Sequence, residues 1–120
     1  MSRIEKVNQQ VKREVGLIIQ QELSDPRLEF VTINKVDVSK DLKNARIYFS
    51  VLGQENEIKN AENAFRSAAG AIRRFLAKRL DLRFTPNLLF SYDDSIQFSA
   101  KIDETLREVN REHGENSSDN

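Results

Sequence analysis

Apolar residues along this chain switch between two spacings, every third or fourth position in some segments and every second position in others. The first spacing is typical of an α-helix with one buried face, and the second is typical of a strand with one buried face. Taken in order, the switches predict the elements α-β-β-α-kink-α-β-α. A three-stranded sheet with helices packed on one face satisfies this order, so we predict an α+β fold.

The first helix is predicted from about Arg3 to Leu23, where apolar residues recur at helical spacing. Ser2, with Glu5 three residues later, has the spacing of a capping box, which begins a helix. The segment Ser24-Asp25-Pro26 should end the helix, because proline disfavours helical geometry in the residue before it.

Two strands follow, and the first of them changes phase along its length. Its apolar residues occupy one phase at the start and the opposite phase at the end, namely Val31 and Ile33, then Val36 and Val38. Because a strand with one buried face keeps a single phase, we predict a β-bulge near Asn34 and Lys35. After a turn over residues 40–44, a clean alternation from Ala45 to Val51 predicts the second strand of a hairpin.

The rest of the chain predicts a long helix over residues 58–80, interrupted at Gly70, and a third strand over residues 88–92. A last helix would carry the apolar residues Phe98, Ile102, Leu106 and Val109. We expect residues 1–112 to form one folded domain and residues 113–120 to be a disordered acidic tail.

Several chemistries are excluded by composition. The chain has no cysteine, which excludes a disulfide framework, a zinc ribbon and a thiol nucleophile. Its one histidine, His113, lies in the predicted tail, so histidine-based triads and two-histidine metal sites are excluded as well. We interpret the carboxylate pair Asp93-Asp94 as the polar end of a strand, with one aspartate capping the next segment. We therefore expect no enzyme activity, no metal and no cofactor.

The start of the chain does not predict membrane targeting. The segment Met1 to Lys6 is polar overall, and no apolar run follows it. The most apolar stretch, Val15 to Ile19, is too short to span a bilayer. We expect a soluble, cytoplasmic chain with no membrane partner.

Charge is distributed unevenly although the formal net charge is zero. Six basic residues and one acidic residue lie between Arg66 and Arg83, whereas six acidic and two basic residues lie from Asp103 to the end. A basic centre and an acidic end cancel in the sum, so the zero total hides a candidate site for nucleic acid.

Projected as a helix, the basic centre has an apolar side and a basic side, and Gly70 lies in the middle of the basic side. Glycine in a helix costs about 1 kcal/mol relative to alanine, and core packing cannot offset this cost at an exposed position. We therefore predict a kink, or close approach of a nucleic-acid backbone, and a helix N-terminus before Arg73 and Arg74 that suits a phosphate. The alternative is a solvated basic face that tolerates a glycine.

The predicted RNA-binding residues lie mainly on this helix. On the helix and just after it they are Arg66, Ser67, Ala68, Ala69, Gly70, Arg73, Arg74, Lys78 and Arg83. Basic positions elsewhere add Arg3, Lys6 and Arg46.

The segment Ala68-Ala69-Gly70-Ala71-Ile72-Arg73 resembles the AxG element of the ribosome-binding factor A family. In that family the element replaces the GxxG loop of KH-type RNA-binding domains. Four more segments resemble the family in the same order, namely Asp25–Leu28, Val38–Leu42, Ala45–Tyr48 and Leu82–Leu88. One departure is Asn87, where the family usually carries an acidic residue.

The resemblance implies that residues 1–112 form a single KH-like RNA-binding domain of type II, in a non-enzymatic ribosome assembly factor. Such a factor binds the free small (30S) ribosomal subunit and assists late maturation and processing of 16S ribosomal RNA, notably in the cold. The implied partners are the 30S subunit, 16S ribosomal RNA and further assembly factors or GTPases, and we expect a monomer. The alternative is a protein-interaction or small-ligand regulatory α+β domain, whose basic helix would meet an acidic partner.

Overall fold

The computed structural model describes residues 1–95, which form two α-helices, one short 3₁₀ helix and three strands. The elements are α1 (Arg3–Gln21), the 3₁₀ helix (Pro26–Leu28), β1 (Val31–Val38), β2 (Asn44–Val51), α2 (Glu55–Arg79) and β3 (Asn87–Tyr92). Apart from the break predicted at Gly70, the predicted order of helices and strands is confirmed as far as Tyr92, and so is the α+β fold class. The predicted last helix and the predicted tail over residues 113–120 lie outside the described residues.

α1 begins with the predicted capping box. The Ser2 hydroxyl accepts a hydrogen bond from the Glu5 backbone N–H at 3.1 Å, and the Glu5 carboxylate accepts one from the Ser2 N–H at 3.1 Å. The helix ends at Gln21, two residues earlier than predicted. Asp25 then accepts the Arg27 N–H at 2.9 Å and so caps the 3₁₀ helix that Pro26 begins.

The sheet has the order β1-β2-β3, with β2 in the centre. β1 and β2 form the predicted antiparallel hairpin, and their register shifts between Ile33 and Lys35, which confirms the predicted bulge. Because of the extra residue, Val36 and Val38 are buried on the face that the helices cover. β3 pairs with β2 in the parallel sense, so Asn87 lies opposite Asn44 at the hairpin-turn end of β2.

Both helices pack on one face of the sheet, as predicted, and three aromatic rings form the centre of the core. The Phe49 and Phe65 ring centroids are 4.7 Å apart, and Phe65 stacks on Phe90 at 4.3 Å. Phe65 thereby fixes α2 over β2 and β3. On the opposite face of the sheet, Arg46 is exposed and Tyr48 is half-buried.

α2 is a single α-helix of 25 residues, so the predicted division into two helices at Gly70 is wrong. Gly70 does not have a positive φ. Phe65 before the glycine and Ile72 and Leu76 after it are all buried in the core. Burial of each such side chain contributes roughly 1.5–3 kcal/mol, which exceeds the cost of about 1 kcal/mol for a helical glycine. The predicted helix N-terminus before Arg73 therefore does not form.

Candidate nucleic-acid interface

The exposed side of α2 between Arg66 and Lys78 is a basic surface, which we call the α2 basic face. Its exposed members are Arg66, Ser67, Gly70, Arg73, Arg74, Ala77 and Lys78. No acidic residue lies in this stretch of sequence, which extends over roughly 18 Å of helix. The buried side of the same helix holds the surface in place against the sheet. The arrangement presents four cations along one straight helix.

The middle of the α2 basic face carries only small side chains and leaves open space above Gly70. A Cβ atom built on Gly70 would have the Arg74 guanidinium as its nearest neighbour, at 3.5 Å, which is an ordinary contact distance. Ala68 and Ala69 are half-buried beside it, and the Ser67 hydroxyl is turned back to the Asn63 carbonyl at 3.1 Å. Small side chains here allow the backbone of another molecule to approach the helix closely.

Arg73 has a structural role that the sequence did not predict. Its guanidinium donates hydrogen bonds to the carbonyl oxygens of Thr85 at 2.8 Å and Pro86 at 3.1 Å. These bonds fasten the loop between α2 and β3 to the side of α2. An arginine side chain has five N–H groups, so Arg73 retains donors that could meet a phosphate.

The other cations of the α2 basic face differ in their partners. Arg66 donates to the Asn63 side chain at 2.9 Å, which orients its guanidinium along the helix. Arg74 and Lys78 form no salt bridge within residues 1–95. These two side chains can therefore bind phosphate without first breaking an ion pair to the described part of the chain.

Arg79 lies on the same helix but belongs to the contact between the helices. Its guanidinium donates to Glu14 at 3.2 Å and to Glu22 at 3.1 Å, both on or just after α1. Hydrogen bonds to these two carboxylates raise the pKa of Arg79 above its ordinary value. We assign Arg79 to packing, and not to the binding surface.

The remaining predicted residues do not lie on the α2 basic face. The Asn8 side chain accepts the Val38 N–H at 2.8 Å, which places the first turns of α1, with Arg3 and Lys6, at the hairpin-turn end of the sheet. Arg46 lies on the open face of the sheet and donates to the Ser91 hydroxyl at 3.1 Å. The sheet therefore separates Arg46 from the α2 basic face.

Three residues outside the predicted set, Lys40, Lys43 and Phe84, lie on or near the loop between α2 and β3. The Asn87 N–H donates to the Lys43 carbonyl at 2.8 Å, so the hairpin turn with Lys40 and Lys43 adjoins the loop that Arg73 fastens. That loop carries Arg83, whose guanidinium lies 5.4 Å from the ring centroid of the exposed Phe84. The charges are visible in the sequence, but their proximity depends on the parallel pairing of β2 with β3.

The carboxylate pair at the end of β3 has a structural explanation. Asp93 accepts the Ser95 N–H at 3.0 Å and the Asn34 side-chain amide at 3.1 Å. Hydrogen bonds from Ser95, followed by the one from Asn34, hold the pKa of Asp93 below its usual range. The bond to Ser95 agrees with the predicted capping role. Within residues 1–95, no three acidic, histidine or cysteine side chains are grouped so as to hold a metal ion.

Neither α1 nor α2, the two helices in the described part of the chain, has the length and apolar content to cross a bilayer.

A family model described as ribosome-binding factor A matches residues 3–106 of the chain. Among individual proteins, the chain is 43% identical over 114 residues to ribosome-binding factor A of Acetivibrio thermocellus, covering 94% of this chain and 93% of that one. It is 45% identical over 115 residues to ribosome-binding factor A of Carboxydothermus hydrogenoformans, with coverage of 96% and 92%.

Solved structures give the same result. The crystal structure of ribosome-binding factor A from Thermus thermophilus matches with a TM-score of 0.68 at 30% identity, over 76% of this chain and 97% of that one. A homology model of Thermus thermophilus ribosome-binding factor A, fitted into the cryo-EM map of a 30S complex of the factor, matches with a TM-score of 0.63 at 29% identity, covering 79% of this chain and 97% of that one.

Proposed function

Because the chain belongs to the ribosome-binding factor A family, we propose that it is a non-catalytic assembly factor that binds the free small (30S) ribosomal subunit. The observation that carries this proposal is the α2 basic face, which groups four exposed cations around an open glycine on one continuous helix. The 30S complex of the Thermus thermophilus relative supports the choice of partner.

The proposed contact is between phosphates of 16S ribosomal RNA and the cations of α2. Arg74 and Lys78 supply charge, and the small residues around Gly70 give the RNA backbone room to approach them. Phosphate contacts fix position and orientation, and they release condensed counterions when they form. Affinity should therefore fall steeply as salt is raised.

The choice of subunit is tested by co-sedimentation. The full chain is mixed with purified small subunits, large subunits or joined ribosomes and is centrifuged at moderate salt. We expect it to sediment with free small subunits and to remain in the supernatant with the other two. Equal sedimentation with small and large subunits would overturn the specific function, although RNA binding itself would stand.

The choice of surface is tested by charge reversal. Arg74→Glu and Lys78→Glu should each weaken binding to small subunits and should lower the slope of log affinity against log salt by about 1. Lys59→Glu is the matched control, because Lys59 is an exposed lysine of α2 that lies roughly 22 Å along the helix from Arg74. Equal losses from all three variants would indicate a general charge effect without a site.

We further propose that the bound chain assists late maturation and processing of 16S ribosomal RNA. The test is complementation of a bacterial strain that lacks its own family member and is grown at low temperature. The wild-type chain should restore the ratio of mature to precursor 16S ribosomal RNA, whereas the Arg74→Glu/Lys78→Glu double variant should not. A double variant that restores processing fully would separate processing from the α2 basic face.

A further inference from the structure

We propose that Phe84 is a stacking platform for one unpaired RNA base at the edge of the α2 basic face. This inference rests on the proposed function, and it specifies the class of RNA that the chain would bind. The RNA that this end of the molecule meets would contain an unpaired nucleotide, and would not be a continuous duplex.

The exposure of Phe84 raises the question of what covers it. Its side chain is 58% exposed on the loop between α2 and β3, although phenylalanine is among the residues most often buried. Exposure alone decides nothing, because Phe30 is 59% exposed and single exposed apolar residues are common. The distinction between the two rings lies in their surroundings.

Phe84 has a cation beside its ring. The Arg83 guanidinium is 5.4 Å from its ring centroid, within the range of a cation–π contact. Arg73 binds the carbonyl of Thr85, the next residue, and the Lys43 carbonyl accepts the N–H of Asn87. Phe30, by contrast, follows Glu29 and precedes β1, which begins at the other end of the sheet, roughly 23 Å away along β2.

The loop that carries Phe84 is held in place. Arg73 fastens it through two carbonyl groups, Pro86 is fully buried, and Asn87 begins the pairing with β2. An exposed ring on a fastened loop loses little conformational freedom when a ligand covers it. The loop therefore presents the ring as a preformed surface.

An unpaired nucleotide matches this surface chemically. Bases that are free of a duplex stack on aromatic rings and on arginine planes, while adjacent phosphates meet basic side chains. Phe84 supplies the aromatic ring and Arg83 supplies a planar guanidinium group. Arg73, which is bonded to the neighbouring Thr85, supplies positive charge for an adjacent phosphate. A base inside a continuous duplex already stacks on its neighbours, so it cannot occupy the ring.

Fluorescence offers a direct test, because the chain contains no tryptophan. Phe84→Trp in the full chain introduces a single reporter at the proposed platform, and Phe30→Trp introduces one at the matched control position. Titration with a short unpaired RNA should quench the reporter at position 84 but not the one at position 30. The same RNA annealed to its complement should quench neither. Equal quenching at both positions, or by both RNAs, would overturn the proposal.

Affinity measurements complete the test. Phe84→Ala and Phe84→Leu should each reduce affinity for the unpaired RNA by about 5- to 150-fold, the range found for lost base stacking, whereas Phe84→Tyr and Phe30→Ala should retain wild-type affinity. Thermal melts should show all four variants folded, because both rings are exposed. Retained affinity in Phe84→Ala beside a loss in Arg74→Glu would overturn this inference alone. Full binding by both variants would overturn the proposed function as well.

Discussion

Replacing Gly70 by alanine separates stability from binding. Gly70 lies inside a continuous helix, its φ is not positive, and the new methyl group would make only one ordinary contact, at 3.5 Å from the Arg74 guanidinium. Within residues 1–95 no contact opposes alanine, which is the better helix former by about 1 kcal/mol. We expect Gly70→Ala to raise the free energy of unfolding by about 1 kcal/mol and the melting temperature by about 4 °C.

The matched control for this change is Gly16→Ala. Gly16 also lies inside a helix, and a Cβ atom there would meet nothing within 4 Å. The gain in stability should therefore be similar at both positions. Gly70 alone is in the middle of the α2 basic face, so only Gly70→Ala should weaken binding to small subunits, because its methyl group occupies the space that an RNA backbone would use.

Thermal unfolding and small-subunit binding of the two variants should be measured side by side. A lower melting temperature for Gly70→Ala would contradict the reasoning about stability, since it would mean that the glycine has a backbone geometry that alanine resists. Unchanged binding in Gly70→Ala, beside a normal gain in stability, would show that the glycine is simply tolerated on a solvated face.

Three further outcomes are expected from the packing. Arg79→Met should lower the melting temperature by breaking the bond to Glu14, and this loss should shrink in high salt, as thermal melts at two salt concentrations would show. Gly53→Ala should destabilise the fold by about 1–2 kcal/mol in chemical denaturation, because its Cβ atom would lie 2.8 Å from Glu57 Cβ; an unchanged midpoint would contradict this. The lowered pKa of Asp93 gives stability that is complete above pH of about 4 and is lost as the pH falls through the folded-state pKa, so Asp93→Asn should flatten the acid limb of the stability profile.

Local patterns in the sequence were sufficient to predict most elements. The change of phase between Ile33 and Val36 predicted the bulge, because an extra residue is the only way to keep both ends of β1 on the buried face. Ser2 and Glu5 predicted the start of α1, since a capping box involves residues close in sequence. The break at Gly70 was wrong because the prediction weighed one glycine and not the core packing on either side of it.

Local sequence patterns did not predict the contacts between segments that are distant in the chain. Nothing in the sequence near Arg73 indicates that its guanidinium would meet the carbonyls of Thr85 and Pro86, because that contact requires β3 to pair with β2 in the parallel sense. The same long-range pairing brings Lys43 to the candidate site and leaves Arg46 behind the sheet. The sequence therefore predicted which residues are basic, but it did not predict which of those residues lie together on one surface.

The bulge in β1 also affects how the chain behaves at high concentration. β1 is an edge strand of the described sheet, and such an edge can pair with the same edge of another copy, which is a common route to aggregation. The extra residue interrupts the regular row of backbone N–H and C=O groups along this edge, and the exposed charges of Lys35 and Asp37 follow the interruption. A bulge and charged side chains on an edge strand both disfavour pairing with a second copy. The bulge that keeps the valines of β1 in the core therefore also disfavours edge-to-edge pairing of the folded chain.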